Sequence, residues 1–174
     1  IKIGIIGGSG LEDPAFIDDY SITQVETPYG DPSSDLILGK ICDIPVVIIS
    51  RHGEGHNINP TNVNYRANIW SLKDQGCSHI LATTACGSLK EKIKPGDFVF
   101  PDQFIDRTTK RTATFYDDST VQHVPMGTPF CARTSAVLQD QAGKLGLSFH
   151  PTGTVVTIEG PRFSSKAESL MFRS

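Results

Sequence analysis

The sequence predicts an α/β fold, and three kinds of observation lead there. Short β-branched runs alternate with polar, helix-patterned stretches, without internal repeats or low-complexity tracts. The apolar runs are continuous rather than alternating, which suits strands covered on both faces. Several of them end in turns rich in glycine or hydroxyl groups. In order, Lys2 to Ile6 is a strand ending in Gly7-Gly8-Ser9-Gly10, and Val46 to Ser50 is a strand ending in Arg51-His52-Gly53. His79 to Thr83 is a third, followed by Thr84-Ala85-Cys86-Gly87-Ser88, and Asp97 to Phe100 and Thr154 to Ile158 are two more. Between the second and third lies a helix signal. Asn59 is its cap, Pro60 takes the first helical position, Tyr65, Ile69 and Leu72 share a face, and Gly76 is the stop. Phe130 to Leu145 predicts a second helix, with Leu138, Ala142 and Leu145 at core spacing. Ser165-Lys-Ala-Glu168 has the pattern of a capping box and predicts a third. Thr108 to Thr128 shows no periodicity and reads as a long loop, a kind of segment that often carries function.

Composition narrows the class of ligand. The 174 residues, 38% hydrophobic and 20% charged, suffice for one core, so a single α/β domain is expected. The chain opens on Ile1 and stops at Ser174 inside a helix-like stretch, so residues 1–174 read as the N-terminal portion of that domain, incomplete at the C-terminus. A formal net charge of -3 and the absence of a long Lys/Arg run argue against nucleic acid or a membrane surface as partner; a small molecule is expected instead. Cys42, Cys77, Cys86 and Cys131 show neither CxxC nor paired-histidine spacing, so they read as reduced thiols rather than zinc ligands or a disulfide framework. No apolar run reaches the roughly 18–20 residues a membrane helix needs, and a cytoplasmic or nuclear location is expected.

The informative pattern is that three separate strands end in residues suited to an anion. In open α/β sheets ligands sit beyond the carboxyl ends of the strands, so three such ends can meet at one site. The Gly7-Gly8-Ser9-Gly10 turn can aim backbone N–H groups inward and adds the Ser9 hydroxyl. Alone it serves a fold as readily as a ligand, and Asp13 stands where a dinucleotide fingerprint would need its third glycine. Arg51 can grip a phosphate through paired charge-assisted hydrogen bonds, with His52 beside it as a further donor; the plain alternative is a surface salt bridge. The hydroxyls and N–H groups of Thr83 to Ser88 suit a phosphate or a sugar, or simply a strand-to-helix turn. Together the three favour a tetrahedral anion.

On five stretches the chain resembles the methylthioadenosine-cleaving branch of the trimeric purine nucleoside phosphorylases. These are Gly4-Ile-Ile-Gly-Gly-Ser-Gly10, Arg51-His-Gly53, Thr83-Thr-Ala-Cys-Gly-Ser88, Asp102-Gln-Phe-Ile-Asp-Arg-Thr108 and Thr157-Ile-Glu-Gly-Pro-Arg-Phe-Ser-Ser165, in the same order and at compatible spacing. The resemblance implies a phosphorylase/hydrolase-like α/β fold, a mixed central sheet flanked by helices, a homotrimer, no metal and no organic cofactor. The implied reaction is phosphorolysis of 5'-deoxy-5'-methylthioadenosine to adenine and 5-methylthioribose 1-phosphate, with inorganic phosphate as co-substrate, in purine and methionine salvage.

Residue by residue, the resemblance assigns Ser9, Arg51, His52, Thr84 and Ala85 to phosphate; many members carry Thr at the Ser9 position, and the hydroxyl is kept. It places Cys86 and Gly87 along the ribose and base, Phe163 against the purine, and Ser164 at a position tied to base specificity. His123 is implied to reach across a subunit interface to the 5'-substituent. By their types alone, Cys86 and Phe163 read equally as core residues and His123 as a solvated loop residue. The family's proton-donating aspartates, and its Met-Thr pair at ribose and phosphate, are implied to lie beyond Ser174; Glu159 and Glu168 are the nearest acids and take no such role. A phosphorylase for inosine, guanosine or methylthioinosine would share every phosphate motif, and a non-catalytic nucleotide-binding domain would use the glycine turn alone.

Overall fold

The computed structural model describes residues 1–8, 16–118 and 120–173. The chain divides into two units, Ile1–Cys86 and Gly87–Ser174.

The N-terminal unit is a five-stranded mixed sheet in the order β2-β3-β4-β1-β5. Its strands are β1 (Ile3–Gly7), β2 (Asp18–Thr23), β3 (Leu36–Ile41), β4 (Ile44–Ser50) and β5 (His79–Ala82). β1 lies between β4 and β5 and is parallel to both, while β2, β3 and β4 form an antiparallel meander. The continuous apolar run of β4 has the meaning expected of it: Val47 and Ile49 pack on one face with Leu36 and Leu72, and Val46 and Ile48 on the other with Ile17. Each fully buried aliphatic side chain of this kind contributes about 2 kcal/mol of transfer free energy.

Helix α1 (Tyr65–Asp74) covers the first of those faces. The expected start at Asn59 is corrected by five residues. Asn59 does cap, but it caps a short 3-10 turn, Pro60–Asn62, which ends in extended backbone at Val63. Asn64 then caps the α-helix through the Ala67 N–H. The expected face of Tyr65, Ile69 and Leu72 is corrected as well, since Ala67, Asn68, Ser71 and Leu72 are the buried residues. Two of these are polar and satisfied. Asn68 accepts from the Ser33 N–H at 2.8 Å and donates to Ser33 Oγ at 2.9 Å, and the Ser71 hydroxyl donates to the Ala67 carbonyl.

The C-terminal unit holds two short parallel ladders. β6 (Phe98–Val99) pairs with β8 (Phe149–His150), and β7 (Gln103–Arg107) pairs with β9 (Thr154–Ile158). Its helices are α2 (Ala132–Lys144) and α3 (Lys166–Arg173). α2 ends before Gly146, which takes φ +66° as a helix stop requires, but Leu145 is 73% exposed rather than in the core. The capping box of α3 forms in both directions: the Glu168 N–H donates to Ser165 Oγ at 3.2 Å and the Ser165 N–H donates to the Glu168 carboxylate at 2.7 Å. The described residues between Thr108 and Thr128 form neither helix nor strand.

Candidate active site

The register of the parallel strands decides which residues meet. Gly7 stands opposite Ser50, and Ile6 opposite Ala82, so the chain leaves β1, β4 and β5 at one level on one edge of the sheet. The ladders extend one step further, with the Arg51 N–H donating to the Gly7 carbonyl at 3.0 Å and the Thr83 N–H to the Ile6 carbonyl at 3.1 Å. Gly8, Arg51 and Thr84 therefore come together although far apart in sequence.

The Arg51 guanidinium spans this edge. Nη1 donates to the Thr83 carbonyl at 2.8 Å, Nη2 donates to Thr84 Oγ1 at 3.4 Å, and Nε donates to His52 Nε2 at 3.2 Å. Gly8 makes room for it, because a Cβ there would stand 3.2 Å from Arg51 Nη2. His52 is buried, and its two ring nitrogens settle its tautomer. Nε2 accepts from Arg51, so Nδ1 carries the proton and donates to the Ile58 carbonyl at 3.0 Å. The imidazole in this arrangement contacts Arg51 Nε, a link that residue type alone does not show. The His56 ring lies against it, centroid to centroid 4.5 Å at an interplanar angle of 40°. His56 is the member of this cluster that sequence reasoning missed; the signal was Gly53-Glu-Gly-His56 directly after Arg51-His52.

Of the other expected site residues, Ser9 lies outside the described residues. Thr84, Ala85 and Cys86 are exposed at the end of β5 in the same unit as Arg51. Gly87, His123, Phe163 and Ser164 belong to the C-terminal unit. Gly87 and His123 are exposed there, Phe163 is 93% exposed, and Ser164 Oγ shares a 2.7 Å hydrogen bond with Ser169 Oγ. Glu159 is engaged by backbone, its Oε1 accepting from the Thr109 and Lys110 N–H groups at 2.8 Å each. Glu168 is paired with Arg162, whose guanidinium and the Ser165 N–H hold the carboxyl down at about 2. A carboxylate so stabilised is a poor proton donor near neutral pH, consistent with giving Glu168 no acid role.

Among the described residues, no group of three or more His, Cys, Asp or Glu side chains is placed to hold a metal ion, and no helix is long and apolar enough to cross a membrane. The four cysteines are free.

The chain is similar to known proteins over nearly its whole length. A Danio rerio protein named S-methyl-5'-thioadenosine phosphorylase is 60% identical over 178 residues, covering 99% of this chain and 64% of the relative. The Xenopus tropicalis protein of the same name is 60% identical over 179 residues with the same coverage. The chain thus spans slightly less than two thirds of the length of these curated relatives. Among solved structures, the methylthioadenosine phosphorylase of Schistosoma mansoni in its apo form superposes with a TM-score of 0.94 at 45% identity, covering 99% of this chain and 69% of that one. A mutant of the Schistosoma enzyme in complex with methylthioadenosine gives the same TM-score at 44% identity, covering 99% of this chain and 68% of that one. The family model described as the phosphorylase superfamily matches residues 2–174, nearly the whole length that carries the Arg51 cluster and the mixed sheet beneath it, and the chain belongs to that superfamily.

Proposed function

We propose that this chain provides the phosphate grip of a phosphorylase that cleaves 5'-deoxy-5'-methylthioadenosine with inorganic phosphate, giving adenine and 5-methylthioribose 1-phosphate. The observation that carries this reading is the Arg51 guanidinium held level with the ends of three adjacent parallel strands. Its support is the 60% identity to relatives named for that activity.

The chemistry explains why such a grip matters. The C1'–N9 bond breaks with its electron pair leaving on the purine, the sugar passes through a state with oxocarbenium character, and a phosphate oxygen forms the new bond to C1'. The purine takes up a proton, at N7, as it leaves. Bound phosphate is both nucleophile and counter-charge, so holding the dianion in place supplies orientation and electrostatic stabilisation together. No covalent intermediate with the protein, metal or organic cofactor enters this sequence.

In this reading Ser9, Thr84 and Ala85 complete the phosphate site around Arg51 and His52. Cys86, Gly87, Phe163 and Ser164 face ribose and base, and His123 of a neighbouring subunit covers the 5' end in a homotrimer working in the cytoplasm. Phe163, 93% exposed, leaves its ring face open to a purine.

The test is turnover of methylthioadenosine by the purified full chain with and without phosphate. Adenine should appear only with phosphate, in amounts equal to 5-methylthioribose 1-phosphate. Phosphate-independent release, or turnover of inosine and methylthioinosine in preference to methylthioadenosine, would overturn the assignment.

A further inference from the structure

We infer that His56 is a positioning residue of the anion site, its ring packed on His52 so that His52 holds Arg51 in the orientation that receives phosphate. The inference rests on reading Arg51 as the phosphate grip.

The backbone gives the first reason to look at His56. Gly53, Gly55 and His56 all take left-handed conformations, with φ of +75°, +71° and +56°. Glycine is suited to the first two, and at Gly53 a Cβ would also stand 2.6 Å from Asn57 Oδ1. At position 56 glycine would meet the backbone requirement with less strain than histidine. Histidine enters this region more readily than most side chains, so its contacts decide what it does there. Among its contacts is the buried His52 ring, 4.5 Å away between centroids.

The second reason is what a ring contact adds to the hydrogen bonds of His52. Residues 52 and 58 are tied twice, by the Ile58 N–H to the His52 carbonyl at 2.9 Å and by His52 Nδ1 to the Ile58 carbonyl at 3.0 Å. On its other side the ring accepts at Nε2 from Arg51 Nε. Hydrogen bonds to ring nitrogens lie close to the ring plane, so these two fix an axis through the nitrogens and oppose tilting about that axis only weakly. The His56 ring, 4.5 Å away and inclined at 40°, limits that tilt. A tilted His52 would withdraw its lone pair from Arg51 Nε, and the guanidinium would then lose the contact that sets its angle toward Thr83 and Thr84.

The experiment compares His56→Gly and His56→Phe in the full chain, with inorganic phosphate as the probe. His56→Gly relieves the backbone, so its melting temperature without phosphate should equal or exceed that of the wild type. It should nevertheless need about 5–10-fold more phosphate for the same thermal stabilisation. kcat/KM for phosphate should fall by a similar factor, while KM for the nucleoside moves less than about twofold. His56→Phe keeps a ring face and should hold phosphate within about twofold of wild type. Equal losses in both variants would show that a ring nitrogen acts and not the face, and unchanged phosphate affinity in His56→Gly would show that His56 does nothing here; either result overturns the inference. Arg51→Ala is measured alongside. If it too leaves phosphate affinity unchanged, the phosphate reading itself has failed, and the inference with it.

Discussion

Arg51 is aimed by three acceptors, one on each of Nε, Nη1 and Nη2, and this decides which substitutions it tolerates. A lysine ammonium carries the charge but cannot reproduce a planar fork spanning His52, Thr83 and Thr84. Arg51→Ala should lower kcat/KM for phosphate by about 3 kcal/mol, the range of a charge-assisted bidentate contact, while leaving the melting temperature close to wild type. Arg51→Lys should recover only part of that loss. Phosphate kinetics unchanged in a folded Arg51→Ala protein would remove the residue from the site. The sequence singled out Arg51 only through its place directly after an apolar strand, where a surface salt bridge was the plain alternative; its reach to Thr83 and Thr84 depends on the strand register. The part played by His52 was not legible there. Its ring nitrogens are assigned by the Ile58 carbonyl six residues on and by Arg51 Nε, contacts that exist only once the Gly53–His56 turn folds back.

At the scale of elements, the strands differed in how plainly the sequence marked them. β4, β1 and β9 were plain, β4 because both its faces are covered and its residues are therefore uniformly apolar. β2 escaped because Asp18–Thr23 is an exposed edge strand whose sequence, Asp-Asp-Tyr-Ser-Ile-Thr, carries no core signal. β3 escaped because Gly39 interrupts its apolar residues; a Cβ there would run into Ile17 Cγ2, so the glycine is a packing requirement and not a turn. The face of α1 was misjudged because Asn68 and Ser71 are polar and yet buried, at full hydrogen-bonding cost met by Ser33 and Ala67. In the C-terminal unit a short element depends on one carboxylate. Asp97 accepts from the Ser148 hydroxyl, from the Lys94 N–H and from His150, and these bonds hold its pKa at about 2 instead of 3.8. A depressed carboxylate stabilises the fold above its unfolded pKa, and that contribution is lost as pH falls through the folded value. The β6–β8 ladder should therefore loosen between about pH 4 and pH 2. Amide exchange at Phe98 and Phe100, which donate to Ser148 and His150, reports it directly. Asp97→Asn should remove this part of the pH dependence, and an identical profile in wild type and variant would refute the role; comparing the two also cancels the titration of Glu168, which is depressed to a similar value.

For the whole molecule, the long loop between Thr108 and Thr128 is where the proposed homotrimer can be tested. Phe115, Tyr116, Val121, Val124 and Met126 are all exposed in residues 1–174, with Val121 at 78%, an apolar surface that a second copy of the chain could cover. A second copy of the chain would bury them, and a cyclic assembly in which each subunit lends this loop to the next would also carry His123 to a neighbour's substrate. On the proposed role of His123 at the 5' end of the sugar, His123→Ala should raise KM for methylthioadenosine more than KM for phosphate. The cross-subunit part of this is tested by mixing. Arg51→Ala and His123→Ala chains, each impaired alone, are dissociated together and reassembled. In a hybrid ring some sites draw Arg51 from one kind of chain and His123 from the other, and both are then wild type. Random reassembly of equal amounts predicts recovery of about a quarter of the wild-type rate. If native mass measurement shows hybrid rings and no activity returns, Arg51 and His123 serve the same subunit's site and the loop does not cross. If the wild-type chain stays monomeric while fully active, the apolar loop residues are covered by something other than a second copy.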